Sequence, residues 1–354
     1  MRIVVDVSPL SHPLTGVGNY IRGSLLGLAE AGGHDVVAFA PASARGRRSI
    51  EAALDGVDVE RKLPLVPAAH ALRTAWSRAG RPPAERVLGD FDVFHFSDWM
   101  YPAQRGGVRS TMIHDLVPLH FPEWVHARTR SMHGAKYRHA SASADVVMVN
   151  SRFTGDDVAA TLGVSPDRIH VAHPGVDPAF TPAGDRQDLG RPYALTVATL
   201  EPRKNLSALL DAYRLLDGEV SLAVAGAAGW GEQTSLDLDG VVRLGYTPPD
   251  ELPRLYRGAS VVVYPSLFEG FGMPVVEAMA CGVPVVASSH PSLDEACGDT
   301  AVRVDPRDPD AIAGGIRTAL ARREELATRG LAHARSFTWL ENARAHLRAW
   351  ESAR

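Results

Sequence analysis

The chain has 354 residues, of which 45% are hydrophobic and 22% charged, and its formal net charge is −4. This length is typical of two domains, and this composition is typical of a globular enzyme. The slightly negative charge provides no basic field of the kind that attracts polynucleotides, so we expect no nucleic-acid partner.

The two cysteines, Cys281 and Cys297, are too few for a disulfide framework, which favours reduced thiols in a cytosolic protein. The first residues lead directly into a strand, with no charged leader followed by an apolar segment. No apolar run approaches the length of a membrane span. We therefore expect a cytoplasmic protein that is at most peripheral to the inner face of a membrane.

Short β-branched runs alternate with helical stretches along the whole chain, which is typical of parallel sheets with helical crossovers. The predicted strands are residues 3–7, 35–40, 92–96, 110–114, 145–149 and 169–172 in the first half, and residues 193–198, 221–225, 241–244, 260–264, 283–287 and 301–304 in the second. Such continuous apolar runs fit strands that are covered on both faces by helices.

The segment from residue 174 to residue 192 is rich in proline and glycine and has no apolar period, so it marks a domain boundary. We predict two doubly wound α/β domains of the Rossmann type, residues 1–177 and 178–335, with a central cleft between them. Residues 336–354 should form a final helix that packs on the body, because its apolar residues have helical spacing.

A glycine-rich turn at residues 15–20, with Gly16 and Gly18, follows the first predicted strand and precedes a helix that runs to about Glu30. A dinucleotide fingerprint requires a third glycine where this chain has Ile21, so the turn does not predict NAD binding. A tight connection between strand and helix is the alternative to a ligand-binding loop.

Basic residues collect in two segments of the first half. Between residues 45 and 86 the cations outnumber the carboxylates, and residues 126–139 place histidines among arginines and lysines. We expect the second segment to be a solvated helix face, and a surface for a membrane or an anionic acceptor is the alternative. The histidines fall six or seven residues apart, which is not metal-ligand spacing, so we expect no metal site.

His114 ends the strand predicted at residues 110–114. Lone histidines are often structural, but the carboxyl end of a strand in such a sheet is where ligands bind. A role in binding or catalysis is therefore favoured for His114.

Arg203 and Lys204 follow the first strand of the second half, where a helix begins. Cations normally favour helix C-termini, so their placement at an N-terminus is easier to explain if an anion lies between them. A planar guanidinium beside a compact ammonium suits a diphosphate. The alternative is a solvated basic turn.

Glu269 and Glu277 stand eight residues apart around the sequence Gly-Phe-Gly-Met-Pro. The glycines allow close approach of the backbone, the proline suits the first turn of a helix, and free amides at a helix N-terminus attract phosphate. Carboxylates beside a phosphate site suit the hydroxyls of a sugar or a ribose. Two solvated glutamates around an ordinary turn are the alternative.

Together these motifs resemble those of the GT-B retaining glycosyltransferases of family four (glycosyl transferases group 1). The resemblance covers nearly the whole chain, and the four motifs follow in the family's order and spacing. The segment from Glu269 to Glu277 resembles the family signature, Pro202 to Asn205 resembles its phosphate clamp, and residues 15–20 resemble its first glycine-rich loop. The sequence from His114 to Pro118 is similar to that of a subgroup often associated with mannosyl transfer.

The resemblance implies a role for each motif residue. Arg203 and Lys204 would hold the donor diphosphate, Glu277 the ribose, and His114 the donor sugar from the opposite wall. The resemblance also puts the final helix back on the N-terminal domain. Further donor-binding residues implied by it are Gly16 and Gly18 beside the diphosphate, Tyr246 beside the nucleobase, and Glu269 with the amides of Gly270, Phe271, Gly272 and Met273 on the sugar.

We therefore predict a glycosyltransferase that moves a hexose from a nucleotide-sugar to a hydroxyl, with His114, Glu269, Arg203 and Lys204 as the catalytic residues. GDP-mannose is the favoured donor and a UDP-hexose the second choice, with no other cofactor and no metal. The acceptor would be a glycan, a lipid-linked saccharide or a small molecule. A nucleotide-sugar epimerase, a phosphorylase or a non-catalytic sugar-binding GT-B protein is the alternative, because one fold hosts several functions.

Overall fold

The computed structural model describes residues 1–14, 16–97, 100–227, 229 and 235–354, the side chain of Arg128 excepted. The chain forms two compact units. Unit 1 consists of Met1–Pro122, His126–Gly175 and Thr338–Arg354, and unit 2 consists of Glu123–Val125 and Val176–Phe337.

Unit 1 is built on a parallel sheet of seven strands in the order β3-β2-β1-β4-β5-β6-β7. The strands are β1 (Arg2–Asp6), β2 (Asp35–Phe39), β3 (Glu60–Lys62), β4 (Val93–Phe96), β5 (Val108–Ile113), β6 (Val146–Val149) and β7 (Ile169–Val171). The helices before the boundary are α1 (Gly16–Ala31), α2 (Ala44–Ala53), α3 (Ala69–Ala79), α4 (Glu85–Leu88), α5 (Val117–His120), α6 (Ala127–Ser143) and α7 (Arg152–Leu162).

The central strands of unit 1 are buried because helices cover both of their faces. Every residue of β5 and of β6 is buried. The edge strand β3 is different, since its sequence Glu-Arg-Lys is mostly exposed and pairs only with β2. The predicted strands of this half are confirmed within about two residues at each end, and β3 is the strand that the sequence pattern missed.

Unit 2 is built on a parallel sheet of six strands in the order β10-β9-β8-β11-β12-β13. Its strands are β8 (Tyr193–Val197), β9 (Ser221–Ala225), β10 (Val241–Gly245), β11 (Val261–Tyr264), β12 (Val285–Ser288) and β13 (Val302–Val304). Its helices are α8 (Leu206–Leu215), α9 (Leu252–Gly258), α10 (Met273–Ala280), α11 (Asp294–Cys297), α12 (Pro309–Ala321) and α13 (Arg323–Ala334). All six strands predicted for this half are confirmed.

The last helix, α14 (Trp339–Ser352), returns to unit 1 and packs against α1. Its buried residues include Trp339, Ala343, Leu347 and Trp350, which are the apolar positions at helical spacing. Gly27 lets the two helices meet at backbone distance, since a Cβ there would lie 1.9 Å from the carbonyl oxygen of Trp339. The predicted return of the final helix to the N-terminal domain is confirmed.

The two sheets, each parallel and covered by helices, confirm the predicted pair of doubly wound domains. In the described ranges, no helix is both long enough and apolar enough to cross a bilayer.

Candidate active site

Arg203 and Lys204 lie in a 3₁₀ turn, Pro202–Lys204, at the carboxyl end of β8. Both side chains contact the carboxylate of Glu269: Arg203 Nη1 lies 2.9 Å from Oε2 and Lys204 Nζ lies 2.5 Å from Oε1. The guanidinium also binds Glu201, with 2.9 Å between Nε and Oε2. The turn therefore brings two cations and two carboxylates together at one sheet edge.

The Glu269 carboxylate is ionised although it is buried. Burial alone would raise its pKa, but the charges of Arg203 and Lys204 outweigh burial and lower the pKa to about 2. Tyr264 donates a third hydrogen bond to this carboxylate, with 2.9 Å between the hydroxyl and Oε1. Burial and the charge of Arg203 in turn lower the pKa of Lys204. These groups form a preorganised cluster that is partly shielded from water. A charged ligand that binds beside them therefore interacts with them more strongly than it would in water.

Hydrogen bonds of the backbone and of two polar side chains fasten the loop of Glu269 to its neighbouring loops. The amide of Leu267 donates to the carbonyl of Arg203 at 2.8 Å, and Asn205 Nδ2 donates to the carbonyl of Pro265 at 3.1 Å. The Glu269 amide donates to Ser292 Oγ at 3.1 Å. The loops after β8, β11 and β12 are thus held as one rigid surface.

The glycine-rich stretch leads into α10, as the sequence predicts. Gly272 caps the helix with a φ of 102°, a conformation that favours glycine. A Cβ there would also lie 2.5 Å from Leu293 Cδ2. Gly270 is buried, and the Phe271 ring packs edge-on against Phe337 with 5.3 Å between ring centroids. Phe271 therefore offers a ligand its backbone and not its side chain. Met273, half-buried, is the first residue of the helix.

Glu277 lies on α10 and faces the interior of unit 2. Burial raises the pKa of its carboxyl to about 7, against the hydrogen bond that Tyr256 donates to Oε2 at 2.9 Å. The charge of Asp177 raises the pKa further. The two signature glutamates therefore have opposite environments, since Glu269 has cationic partners and Glu277 has a phenol. Glu277 exchanges its proton near neutral pH.

Tyr246 directly follows β10, where Gly245 takes a φ of 69°. The Tyr246 side chain is 54% exposed, so its ring is available to a ligand at the carboxyl end of that strand.

In unit 1, Gly16 and Gly18 begin α1, and Thr15 lies outside the described residues. A Cβ on Gly16 would meet nothing within 4 Å, whereas a Cβ on Gly18 would lie 2.9 Å from Leu14 Cδ2. A side chain at position 18 would therefore displace the end of the Leu14 side chain, whereas one at position 16 would meet open space.

His114 directly follows β5 and is half-buried. The ring of Tyr20 stands edge-on to it, with 5.0 Å between ring centroids. Two elements fix Tyr20, because its hydroxyl donates to the carbonyl of Ala172, after β7, at 3.1 Å and accepts from Asn342 Nδ2 of α14 at 2.9 Å. A cavity of about 30 Å³, large enough for a water molecule, adjoins both rings.

Two buried charged residues beside His114 were missed by the sequence interpretation. Asp6 ends β1, is 1% exposed, and accepts hydrogen bonds from Ser8 and Ser97. Burial raises its pKa. Its position at the carboxyl end of a central strand was the signal that could have identified it.

Lys136 is the second residue, and the prediction that its segment is a solvated helix face is wrong at this position. The side chain is 1% exposed and its ammonium donates to the carbonyl of Met112. The reason is that α6 packs on the sheet through this face. Both Asp6 and Lys136 line the small cavity beside His114.

The chain matches two models of glycosyltransferases. The model described as glycosyltransferase family 4 matches residues 14–180, and the model described as glycosyl transferases group 1 matches residues 181–334. Among curated proteins, O-antigen chain mannosyltransferase B of Escherichia coli is 33% identical, over 96% of each chain. D-inositol 3-phosphate glycosyltransferase 1 of Catenulispora acidiphila is 31% identical, over 99% of this chain and 95% of that protein.

Solved structures show the same fold at low sequence identity. Sucrose-phosphate synthase from Thermosynechococcus elongatus superposes with a TM-score of 0.72 at 19% identity and covers 99% of both chains. HepE from Anabaena, in complex with UDP and glucose, gives a TM-score of 0.73 at 18% identity, over 99% of this chain and 100% of that one. By its family models, relatives and fold, the chain belongs to the group 1 glycosyltransferases of family four and is a glycosyltransferase enzyme with the GT-B fold.

Proposed function

We propose that this glycosyltransferase moves mannose from GDP-mannose to a hydroxyl of a saccharide acceptor, with retention of the anomeric configuration. The observation that carries the proposal is the cluster of Arg203, Lys204 and Glu269 at one sheet edge of unit 2. The mannosyltransferase from Escherichia coli, similar over nearly the whole chain, supports mannose over other hexoses.

In this proposal the two cations act on the donor diphosphate. Breaking the bond from the sugar C1 to the phosphate oxygen leaves negative charge on the nucleoside diphosphate. Arg203 and Lys204 stabilise that charge, and such fixed charge stabilisation is usually the largest catalytic contribution. Their charges are balanced in the structure by Glu201 and Glu269, so the diphosphate must share the cations with these carboxylates or displace them.

The remaining residues position the donor. Glu277 accepts hydrogen bonds from the ribose hydroxyls, and Tyr246 lies beside the nucleobase. Glu269, the amides of residues 270–273 and His114 contact the mannose, and Gly16 and Gly18 leave room for the diphosphate.

The acceptor hydroxyl attacks C1 on the face from which the diphosphate leaves. A new C1–O bond forms while the bond to phosphate breaks, and the hydroxyl proton passes to the leaving diphosphate. This geometry retains configuration and needs no carboxylate nucleophile on the opposite face, unlike a retaining glycosidase. The cations can take the charge-neutralising role that a metal takes in other transferases, so we propose that the reaction needs neither a metal nor a further cofactor.

The arginines of α2 are the proposed point of peripheral contact with a membrane. Arg45, Arg47 and Arg48 are exposed on this helix, and cations at a surface are attracted to anionic lipids. Co-sedimentation with vesicles that contain anionic lipid should fall when Arg47 and Arg48 are both replaced by glutamine. Equal sedimentation of that variant and the wild type would rule out this contact.

The donor is tested by direct comparison of nucleotides. We expect GDP to bind at least tenfold more tightly than UDP, since a pocket built for one base leaves polar groups unpaired with the other. Mannose transfer from GDP-mannose, with the product anomer read by NMR, tests the reaction and its stereochemistry. A tenfold preference for UDP would overturn the donor, and an inverted anomer would overturn retention.

A further inference from the structure

Unit 1 carries a large open cavity next to the turn that follows β1. Its volume is about 920 Å³, which is within the range of pockets that bind small molecules. Three segments line it, at residues 11–14, 42–53 and 68–73, which follow β1, β2 and β3. The cavity therefore lies beyond the carboxyl ends of the strands, where such sheets bind ligands.

The ionisable side chains that line this cavity are all basic. They belong to His12, Arg45, His70 and Arg73, and no carboxylate is among the described residues of the lining. Burial, together with the charges of Arg73 and Arg45, lowers the pKa of His12. The positive charges of Arg45 and Arg73 therefore both reach His12, and the cavity favours an anion.

The side chain of Arg73 is buried in this wall and is not a mobile surface side chain. It is 3% exposed, and its Nη1 lies 3.4 Å from the carbonyl oxygen of Ser8. Its charge also acts on the carboxylate of Asp6, which lines the small cavity beside His114. Arg73 thus connects the basic cavity with the residues around His114.

Two of the three serine hydroxyls in the cavity wall, those of Ser11 and Ser49, are arranged as acceptors. Ser11 donates its proton to the carbonyl of Ser8 at 2.7 Å, and Ser49 donates to the carbonyl of Arg45 at 3.3 Å. Each oxygen is left with free lone pairs, which suit the hydroxyls of a sugar. Alanines provide much of the remaining wall and leave room for a ring.

We propose that this cavity binds the phosphoryl group of a phosphorylated saccharide acceptor. Arg45 and Arg73 bind the phosphate oxygens, and Ser11 and Ser49 accept hydrogen bonds from the sugar. The inference rests on the proposed function, since it names the class of acceptor for that reaction. A free sugar phosphate and a lipid-linked saccharide diphosphate share this chemistry.

The test is a calorimetric titration of the full chain with a hexose 6-phosphate, with GDP in excess to fill a phosphate site at Arg203. Arg45→Ala should weaken binding about tenfold or more, because a hydrogen bond to a charged group is lost. Arg78→Ala removes the same charge from an exposed position of α3 that does not line the cavity. This control should bind as the wild type does.

A second pair of variants tests the same site without changing Arg45. Ala52 is exposed on α2 and lines the cavity, so Ala52→Glu brings a negative charge to the phosphate and should weaken binding about tenfold. Ala52→Gln adds the same bulk without charge and should bind more tightly than Ala52→Glu. Thermal melting checks that each variant is folded.

Wild-type affinity in both Arg45→Ala and Ala52→Glu would overturn the proposal, as would equal affinity for the unphosphorylated hexose. A GDP titration of the same proteins reports on the donor site. Failure of GDP to bind would count against the proposed function. Even then, the affinity of Arg45→Ala for hexose 6-phosphate, compared with that of the wild type, would decide whether the phosphate site exists. Tighter binding of a lipid-linked saccharide diphosphate in micelles would assign the lipid source, and equal or weaker binding would assign a free ester.

Discussion

The guanidinium of Arg203 and the carboxylate of Glu269 form an ion pair, with 2.9 Å between Nη1 and Oε2, although 66 residues separate them in the sequence. Lys204 binds the other oxygen of the same carboxylate, and Glu201 binds the guanidinium. The two cations are therefore fully compensated in this structure. A diphosphate that binds here must take over the cations from the carboxylates, and the first two predictions follow from that exchange.

Replacing Arg203 with alanine should lower kcat/KM about 10²-fold or more. One charged donor that acts on the transition state is worth about 2.7–4 kcal/mol, which corresponds to that loss. Arg214→Ala is the matched control, because Arg214 is 54% exposed and pairs with Asp211 on the surface of α8. Steady-state kinetics with the sugar donor give the answer. Unchanged kcat/KM in folded Arg203→Ala would remove this residue from the reaction.

Replacing Glu269 with glutamine should destabilise the protein without ligand but increase its response to nucleotide. The buried cations lose their counter-ion, which costs about 3 kcal/mol or more. A bound nucleoside diphosphate then supplies the missing negative charge, so GDP should raise the Tm more in the variant than in the wild type. Turnover should fall, because the proposed contact with the sugar is weakened.

The control for this change is Glu219→Gln, which breaks an exposed pair with Arg317 and should alter the stability little. Equal shifts of Tm by GDP in Glu269→Gln and the wild type would contradict the proposed exchange between carboxylate and diphosphate.

The carboxyl of Glu277 should contribute to the free energy of unfolding at low pH, and this contribution should decrease as the pH rises. Its pKa is raised from 4.5 to about 7 in the folded state, so the folded protein holds this proton more tightly than the unfolded chain. The contribution is complete below pH 4.5 and is lost as the pH rises to about 7. Glu277→Gln keeps the size and the acceptor for Tyr256 but removes the titration, so its unfolding free energy should change less over this range.

The same group should make nucleotide binding improve with pH. An ionised carboxylate accepts stronger hydrogen bonds from ribose hydroxyls than a neutral carboxyl does. GDP affinity should therefore rise through pH 7 more steeply in the wild type than in Glu277→Gln. Titration of GDP itself affects both proteins equally, so the difference between the two profiles reports on Glu277. Parallel pH profiles for the two proteins would exclude Glu277 from the ribose site.

Sugar transfer should persist in excess EDTA. The reason is that Arg203 and Lys204 can neutralise the diphosphate without a divalent ion. Activity is measured before and after chelation, with Mg²⁺ or Mn²⁺ then added back. A loss of turnover that either ion restores would falsify the proposed metal independence.

The sequence predicted the sheets well because buried strands have a strong local signal. All four residues of β6, Val-Val-Met-Val, are apolar and buried, whereas β3, with the sequence Glu-Arg-Lys, has no such signal and forms only because β2 offers it an edge. Lys136 was assigned to a solvated face because lysine is rarely buried. Its burial depends on a carbonyl that only the folded chain brings near it.

The candidate site was predictable in its members but not in their pairing. The sequence put Arg203, Lys204 and Glu269 after predicted strands, and the structure makes those strands neighbours, since β8 pairs with β11. Which side chains share hydrogen bonds depends on loop conformation, which spacing does not determine. The contrast between an ionised Glu269 and a Glu277 that titrates near neutrality arises from those contacts.

The contact between α1 and α14 gives a prediction about stability alone. Gly27→Ala should destabilise unit 1 by about 1–3 kcal/mol, because a Cβ would lie 1.9 Å from the backbone oxygen of Trp339 and the helices would have to separate. Alanine's better helix propensity recovers about 0.5–1 kcal/mol of this loss. Gly134→Ala on α6 is the control, since its Cβ would meet only Arg138 at 3.6 Å, and that variant should become slightly more stable. Chemical denaturation of both variants measures the difference, and a Gly27→Ala protein as stable as Gly134→Ala would show that the two helices do not meet at backbone distance.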